Sequence, residues 1–367
     1  MSRPRILLVD DQKMILLGLE RMLRRMRNAW DVVLAGSGRE AQGCMEDQAF
    51  DVLLSDLNMP GFGGAELLEW SRERHPGTIR IVLSGHQNKP MILASTRTAH
   101  RFLTKPCEPD VLVATLSETL EACLLPAGKG GVRQAVVGMG SLPVGPGAAR
   151  GVAEQLQDPS GTVPCLQDHF LEDAGLASMV LHFVNSAFFG VPRPILNPWE
   201  AFQLLDRDSW PAIRVDPVPS ELESRLQPLR EKHLAQARHA LSITRSEGAP
   251  VEVQNLAYIG GLLAVAGPMI LAISFPERFE EAMAQPQALG VDLQQLAYHY
   301  FRLRGLPAPL LEIVGNPREP GRYRQPPSLA LAAVHVASGK PDESFLSGTP
   351  FLGRVPTWQR LHVPAQG

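Results

Sequence analysis

From Arg5 to Cys123 the chain alternates short apolar runs with longer amphipathic stretches, the pattern of a parallel sheet whose strands are joined by crossover helices. The runs RILLV (5–9), DVVLA (31–35), DVLLS (51–55), IRIVLS (79–84) and RFL (101–103) predict five strands. Helices are predicted over 13–27, 39–48, 64–74, 88–97 and 109–123, the third opened by Gly63-Gly64. Together these make an α/β doubly wound unit with a five-stranded parallel sheet. Such units place their chemistry at the carboxyl ends of the strands.

After Cys123 the pattern changes. LLPAGKGGVRQAVVGMGSLPVGPG (124–147) is dense in glycine and proline, as in a linker entering a second domain. From Gly147 to Gly339 the apolar positions keep helical spacing. Helices are predicted over 147–156, 163–173, 175–186, 198–206, 220–246, 252–266, 267–284, 291–303, 307–314 and 327–338, with breaks at Gly190, Pro250 and Gly290. The closing KPDESFLSGTPFLGRVPTWQRLHVPAQG has no periodicity and reads as a loosely docked tail. The expected layout is a first domain over 1–124, a linker over 125–140, an all-helical domain over 141–340 and an irregular tail over 341–367.

Composition narrows the classes. A chain of 367 residues is long enough for two or three domains of roughly 100–200 residues each. Its 35 Lys and Arg against 38 Asp and Glu exert no general pull on nucleic acid or anionic lipid. Cys44, Cys107, Cys123 and Cys165 form no C-x-x-C pair, so they predict neither a zinc site nor a disulfide framework, and fit reduced packing residues in a cytoplasmic protein. The start, MSRPRILLVDD, places acids directly after a short apolar run, unlike a signal peptide. One uncharged run, Val253 to Pro276, has the length of a membrane span. Gly260, Gly261 and Gly267-Pro268 interrupt it and Lys/Arg flanks are sparse, so a buried core is the better account.

Candidate chemistry collects at the predicted strand ends: Asp10 and Asp11 after the first strand, Asp56 after the third, Ser84 closing the fourth, Lys105-Pro106 beyond the fifth. Each has an ordinary reading alone, as a helix cap, a turn former or a solvated lysine. Three carboxylates brought together repel one another and hold a hard divalent cation through oxygen ligands. A lysine and a hydroxyl opposite them can bind phosphoryl oxygens, and an aspartate can be the nucleophile of phosphoryl transfer.

LLVDD, LLSDLNMPGFGG, VLSG and FLTKP, in this order and spacing, resemble the receiver domain of two-component response regulators over about the first 124 residues. The resemblance implies that Asp56 accepts a phosphoryl group from a histidine kinase. Mg²⁺ would be held by Asp11, Asp56 and the backbone carbonyl of Asn58, with Asp10 reached through water. Lys105 would pair with phosphoryl oxygens, Ser84 would move toward them, and Phe102 would be the aromatic switch, one without a tyrosine hydroxyl. The plain alternative for Phe102 is a core phenylalanine. The resemblance also sets Asn58 and His86 at positions that in that family tune how long the phosphoryl group lasts.

In the second half, LASMVLHFVNSAFFGVPRP (176–194) sets a stripe of Leu176, Met179, Val180, Phe183 and Val184 before an aromatic exit turn. Core packing explains the stripe but not NSAFFG as a unit. That unit resembles the signature of the HDOD domain, an all-helical relative of the HD phosphohydrolases; SLPVGPGAARGVAEQLQDP resembles its opening and GLLAVAGPMIL (261–271) its central helix. Catalytic HD enzymes carry an adjacent His-Asp metal pair on that helix. Ala264 and Val265 stand in its place, and no histidine in the chain is followed by aspartate. His233 matches the leading histidine of the family, and a lone histidine is more often packed than ligating.

The expectation is a cytoplasmic response regulator with no enzymatic activity beyond the receiver's own phosphorylation and dephosphorylation. Its partners would be a histidine kinase, a downstream protein bound by the HDOD domain, and a second copy in a homodimer joined through the receiver, with neither membrane nor nucleic acid. The alternatives are an HD-type phosphohydrolase or cyclic dinucleotide phosphodiesterase, against which the missing His-Asp pair counts, and a DNA-binding regulator. Arg302, Arg304, Arg318, Arg322 and Arg324 would serve the latter, but no helix-turn-helix accompanies them and a solvated basic face explains them.

Overall fold

The computed structural model describes residues 3–85, 89–123, 130–157, 164–285, 292–315, 328–339, 343–346 and 349–361. Strands β1 (Arg5–Val9), β2 (Asp31–Ala35), β3 (Val52–Ser55), β4 (Ile79–Ser84) and β5 (Arg101–Thr104) pair in parallel in the order β2-β1-β3-β4-β5. Continuous apolar runs suit strands covered on both faces. Accordingly β3 and β4 are buried at every position, and Arg80 in β4 is buried with its apolar neighbours. The register sets Val9 beside Ser55 and Ser84 beside Thr104, so the carboxyl ends form one edge.

Around the sheet lie α1 (Lys13–Leu23), α2 (Gly38–Asp47), α3 (Gly64–Arg74), α4 (Lys89–Ala94) and α5 (Pro109–Ala122). α1 buries Leu16, Leu19 and Leu23, one face of a helix. Ser37 caps α2, its hydroxyl accepting from the Glu40 N–H at 3.2 Å. The predicted 13–27 and 88–97 helices each finish as a 3-10 turn, Arg24–Met26 and Ser95–Arg97.

A helix, α6 (Gly130–Gly138), occupies part of the expected linker. The helical half continues with α7 (Pro146–Gln157), α8 (Pro164–Glu172), α9 (Ala174–Val184), α10 (Pro198–Gln203), α11 (Ser220–Ser246), α12 (Val251–Leu263), α13 (Ala266–Ser274), α14 (Phe279–Ala284), α15 (Leu293–Leu303), α16 (Ala308–Val314), α17 (Leu329–Ala337), α18 (Glu343–Leu346) and α19 (Val355–Trp358). The helix expected over 267–284 is divided, because Pro276 cannot donate to a continuing ladder and a 3-10 turn, Pro276–Arg278, takes its place.

Three expectations need correction. α9 is buried on all sides, not along one stripe, so its Ser178 and His182 are interior residues. The described part of the tail, 343–346 and 349–361, is not loosely docked: the Trp358 side chain is fully buried, its Nε1–H donates to Glu247 at 2.9 Å, and its carbonyl bonds His239 at 2.8 Å. Without periodicity the tail gave no amphipathic signal, yet single large side chains anchor it to α11 and α17. Arg302 and Arg304 form no solvated face, since Arg304 is 3 % exposed and Arg302 pairs with Glu121 at 3.1 Å. Arg318, Arg322, Arg324 and His86 lie outside the described residues.

The Val251–Ser274 stretch is long and apolar enough to cross a membrane, its most apolar 18-residue window having a mean hydropathy of 2.1. Here 78 % of its most apolar window is buried inside the protein, which makes it core. Ala237 of α11 lies against Gly261 so closely that a β-carbon there would stand 3.0 Å from the Ala237 Cα. The small residue lets the two backbones approach.

Candidate functional site

Because β1 and β3 are neighbours, the residues that follow them meet. The Asp56 N–H donates to the Val9 carbonyl at 2.9 Å and the Asp10 N–H to Ala35 at 3.2 Å, fixing both backbones at the sheet edge. Asp10 is fully buried, Asp56 is 5 % exposed and Asp11 is exposed. Their carboxylate oxygens lie within 4.8 Å of one another.

Lys105 supplies the opposing charge. Its Nζ donates to Asp10 Oδ2 at 2.6 Å and sits 2.7 Å from Asp56 Oδ2. Like-charged carboxylates at this spacing need a cation between them, and the ammonium serves as that cation. The donor set therefore fits Mg²⁺, which takes oxygen ligands. The other Asp10 oxygen accepts the Gln12 N–H at 2.9 Å, which orients the buried carboxylate.

β4 and β5 bring the remaining groups. The Lys105 N–H donates to the Ser84 carbonyl at 3.0 Å, and Lys105-Pro106 is a cis peptide. Ser84 is fully buried and engaged. Asn58 is exposed beside the notch, while Leu57 and Met59 on either side are buried, so the segment after β3 is anchored with Asn58 outward. Phe102, on β5, is 1 % exposed and packs on His182 (ring centroids 5.1 Å apart) and edge-on to Phe183 (5.9 Å), both on α9.

Gly64 was not singled out as a site residue, yet it positions one. A β-carbon there would stand 1.8 Å from the Asp56 carbonyl oxygen, so only glycine lets the start of α3 approach the backbone of Asp56. The Glu66 carboxylate holds this start by accepting the Gly63 N–H at 2.8 Å. The available signal was Gly63-Gly64 directly before a helical pattern.

A concavity of about 590 Å³ lies elsewhere, lined by Arg72, Gly140, Asp216 and Phe275 among others, and shares no residue with the notch. The converging carboxylates and lysine all lie at the sheet edge, away from this concavity.

In the helical half the motif residues have structural partners. Asn185 donates through Nδ2 to the carbonyls of Leu181 and Ile195, both at 2.8 Å, and accepts the Ile195 N–H, fastening the loop after α9. Gly190 turns that loop at φ +68°. His233 lies on α11 with a buried Nδ1 that has no hydrogen-bond partner, and burial lowers its pKa to about 4. The His299 ring bonds the Ala122 carbonyl at 2.8 Å, and His335 packs on Phe345 with ring centroids 4.5 Å apart.

Comparison with known proteins follows this division. The response regulator receiver domain model matches residues 6–117 and the HDOD domain model residues 142–305. The hydrogenase transcriptional regulatory protein HoxA of Cupriavidus necator is 33 % identical over 119 residues, 32 % of this chain and 24 % of that protein. The nitrate/nitrite response regulator protein NarL of Escherichia coli is 31 % identical over 114 residues, 31 % of this chain and 53 % of that protein. The chain thus spans between a quarter and about half of these relatives. A solved signal receiver domain of an HD domain-containing protein from Pseudomonas fluorescens Pf-5 is 29 % identical, covering 33 % of this chain and 96 % of its own, with a TM-score of 0.31. With its acidic edge and the two matched segments following one another, this protein carries a response regulator receiver domain and, after it, an HDOD domain.

Proposed function

We propose that this protein is a response regulator of a two-component phosphorelay, phosphorylated on Asp56 and signalling through a non-catalytic HDOD domain that binds another protein. The observation that carries the reading is the notch itself, three carboxylates within 4.8 Å faced by one lysine. A histidine kinase would be the donor. An Asp56 carboxylate oxygen would attack the phosphorus of a phosphohistidine, forming an O–P bond as the P–N bond breaks and the imidazole leaves. Asp10, Asp11, Asp56 and the Asn58 backbone carbonyl would hold Mg²⁺, which when bound neutralises phosphoryl oxygens.

The protein's own groups do the rest. Lys105 already spans Asp10 and Asp56, so its ammonium needs only a short displacement to meet phosphoryl oxygens on Asp56. Ser84, tied to Lys105 through its backbone carbonyl, would accompany it. Burial of Asp10 and Asp56 keeps bulk water from competing for these charges. Ala264 and Val265 offer no ligand atom where an HD hydrolase needs histidine and aspartate, which supports a binding role for the helical half. A phosphorelay of this kind operates in the cytoplasm.

Incubation with Mg²⁺ and acetyl phosphate, followed by intact mass measurement, should add one phosphoryl group to the native chain and none to Asp56→Asn. An unmodified native chain would remove this reading. Metal-dependent turnover of a cyclic dinucleotide by the full chain would overturn the non-catalytic assignment.

A further inference from the structure

The concavity of about 590 Å³ lies where the two domains meet. Arg72 comes from α3, Gln134 and Gly138 from α6, Asp216 from the segment before α11, and Phe275 from the residue after α13. Small-molecule pockets hold roughly 300–1,000 Å³ and form preferentially at such junctions.

Its walls are firmly set. The Val144 N–H donates to the Asp216 carbonyl at 2.8 Å and the Val218 N–H to the Val144 carbonyl at 2.9 Å, which laces two wall segments together. Pro76, Pro143, Pro217 and Pro219 add fixed φ angles around the rim. The domains are fastened at β5, where Arg101 donates through Nε to the Leu303 carbonyl and through Nη2 to that of Arg302, both at 2.9 Å. α6 turns a face of small residues to the space, with Gly131, Gln134, Ala135 and Gly138 at the spacing of neighbouring helical turns. A β-carbon at Gly131 would stand 3.6 Å from the Phe275 ring and one at Gly138 3.2 Å from Pro76 Cβ. Larger side chains there would close the gap that the glycines leave.

The charges around it favour an anion. Asp216 is already engaged through both oxygens, Oδ1 accepting from Arg97 at 3.1 Å and Oδ2 from the Ser141 hydroxyl at 3.2 Å. Arg72 has capacity left. It shares Glu69 with Arg97, and its buried Nε has no hydrogen-bond partner among the described residues. Behind the wall, Arg304 donates through Nη2 to the carbonyls of the lining residues Met139 and Gly140, and its Nη1 is buried without a partner. Arg80 gives its guanidinium to the carbonyls of Thr78, Thr98 and Val137. Carbonyls satisfy N–H groups but carry no formal charge, so two buried guanidiniums leave this side positive. Met139, Phe275 and the prolines make the rest apolar.

We propose that this concavity is a ligand site for a small organic anion with a flat apolar body. The carboxylate or phosphate group of the ligand lies at Arg72 and the Ser141 hydroxyl, and the apolar part lies between Phe275 and the small face of α6. The site is separate from the acidic notch, and it stands or falls independently of the phosphorelay reading.

Anilinonaphthalene sulfonate, a fluorescent aromatic anion, is titrated into the full-length native chain beside phenylnaphthylamine, the same ring system without the charge. Native protein should bind the sulfonate saturably at one site, roughly 10-fold or more tightly than the neutral probe. Arg72→Gln should weaken sulfonate binding by roughly 10-fold. Gln134→Trp, a change at an exposed position on the small face of α6, should fill the site and abolish binding, with folding of both variants checked by circular dichroism. Asp56→Asn should bind as native protein does. Displacement of the probe by millimolar phenyl phosphate or benzoate supports the class and names its head group. No saturable binding, equal affinity for the neutral probe, native affinity in Gln134→Trp, loss of binding in Asp56→Asn, or displacement by neither competitor would each overturn the site. If Arg72→Gln does not fold, Gln134→Trp and the neutral probe decide.

Discussion

Lys105 stands between two carboxylates that burial would otherwise force together, and its removal leaves Asp10 and Asp56 facing one another without a counter-charge. Breaking a buried ion pair by deleting one partner costs about 3–5 kcal/mol. Lys105→Ala should therefore lose stability of that order in urea unfolding without divalent ions, and millimolar Mg²⁺ should restore much of it. A loss unaffected by Mg²⁺ would mean the notch does not take the cation. Gly64→Ala forces a methyl group onto the Asp56 carbonyl oxygen, an overpacking worth about 1–3 kcal/mol. Acetyl phosphate labelling of that variant should fall together with its urea midpoint, whereas native labelling would show that α3 can withdraw freely. Asp10, Asp11, Asp56, Ser84 and Lys105 were legible in the sequence because each follows or closes an apolar run that could only be a strand. Gly64 was legible only as a helix start, since its use depends on a neighbouring backbone that no local pattern reveals.

Between elements, the buried histidines carry a pH dependence. The His100 Nδ1 accepts the Arg80 N–H at 2.9 Å while its Nε2 donates to the Val137 carbonyl at 3.0 Å, so the ring must be neutral. Burial, with Arg80 and Arg304 nearby, lowers its pKa well below the ordinary 6.5; His182 is lowered first by burial and then by Arg304 and Arg101. His233 falls to about 4. In each case the unfolded chain binds protons that the folded one refuses. Stability is therefore complete above pH 6.5 and falls as pH drops below it, by up to about 1.4 kcal/mol per pH unit for each histidine. Urea unfolding at pH 7.5, 6 and 5 should trace this decline, and His182→Asn should flatten it; a pH-independent midpoint would contradict the neutral assignments. The sequence revealed the strands and helices well, since β1, β2, β4 and α3 match the apolar runs residue for residue. It did not reveal why Arg80 sits inside a buried strand. Its guanidinium donates to the carbonyls of Thr78, Thr98 and Val137, partners supplied by three separate segments.

Across the molecule, one continuous set of buried apolar side chains runs from the sheet through α6 into α9, α13 and α15. Calorimetry of the full chain should accordingly give a single endotherm, and Arg101→Ala combined with Phe183→Ala should split it in two. Two endotherms in the native chain would indicate that the domains do not share a core. Two domains could be read from the shift in composition after Cys123, but their docking could not, because the groups that join them are carbonyls, ring faces and arginines scattered over the chain. α6 has the further consequence of blurring where one module stops. Val137 receives donors from both Arg80 and His100, while the Met139 and Gly140 carbonyls are claimed by Arg304. A chimera grafting this receiver onto a foreign effector with its seam before Gly130 would strip two interior side chains of their acceptor. One spliced beyond Gly140 keeps it, so the smallest transplantable piece is longer than the family boundary implies.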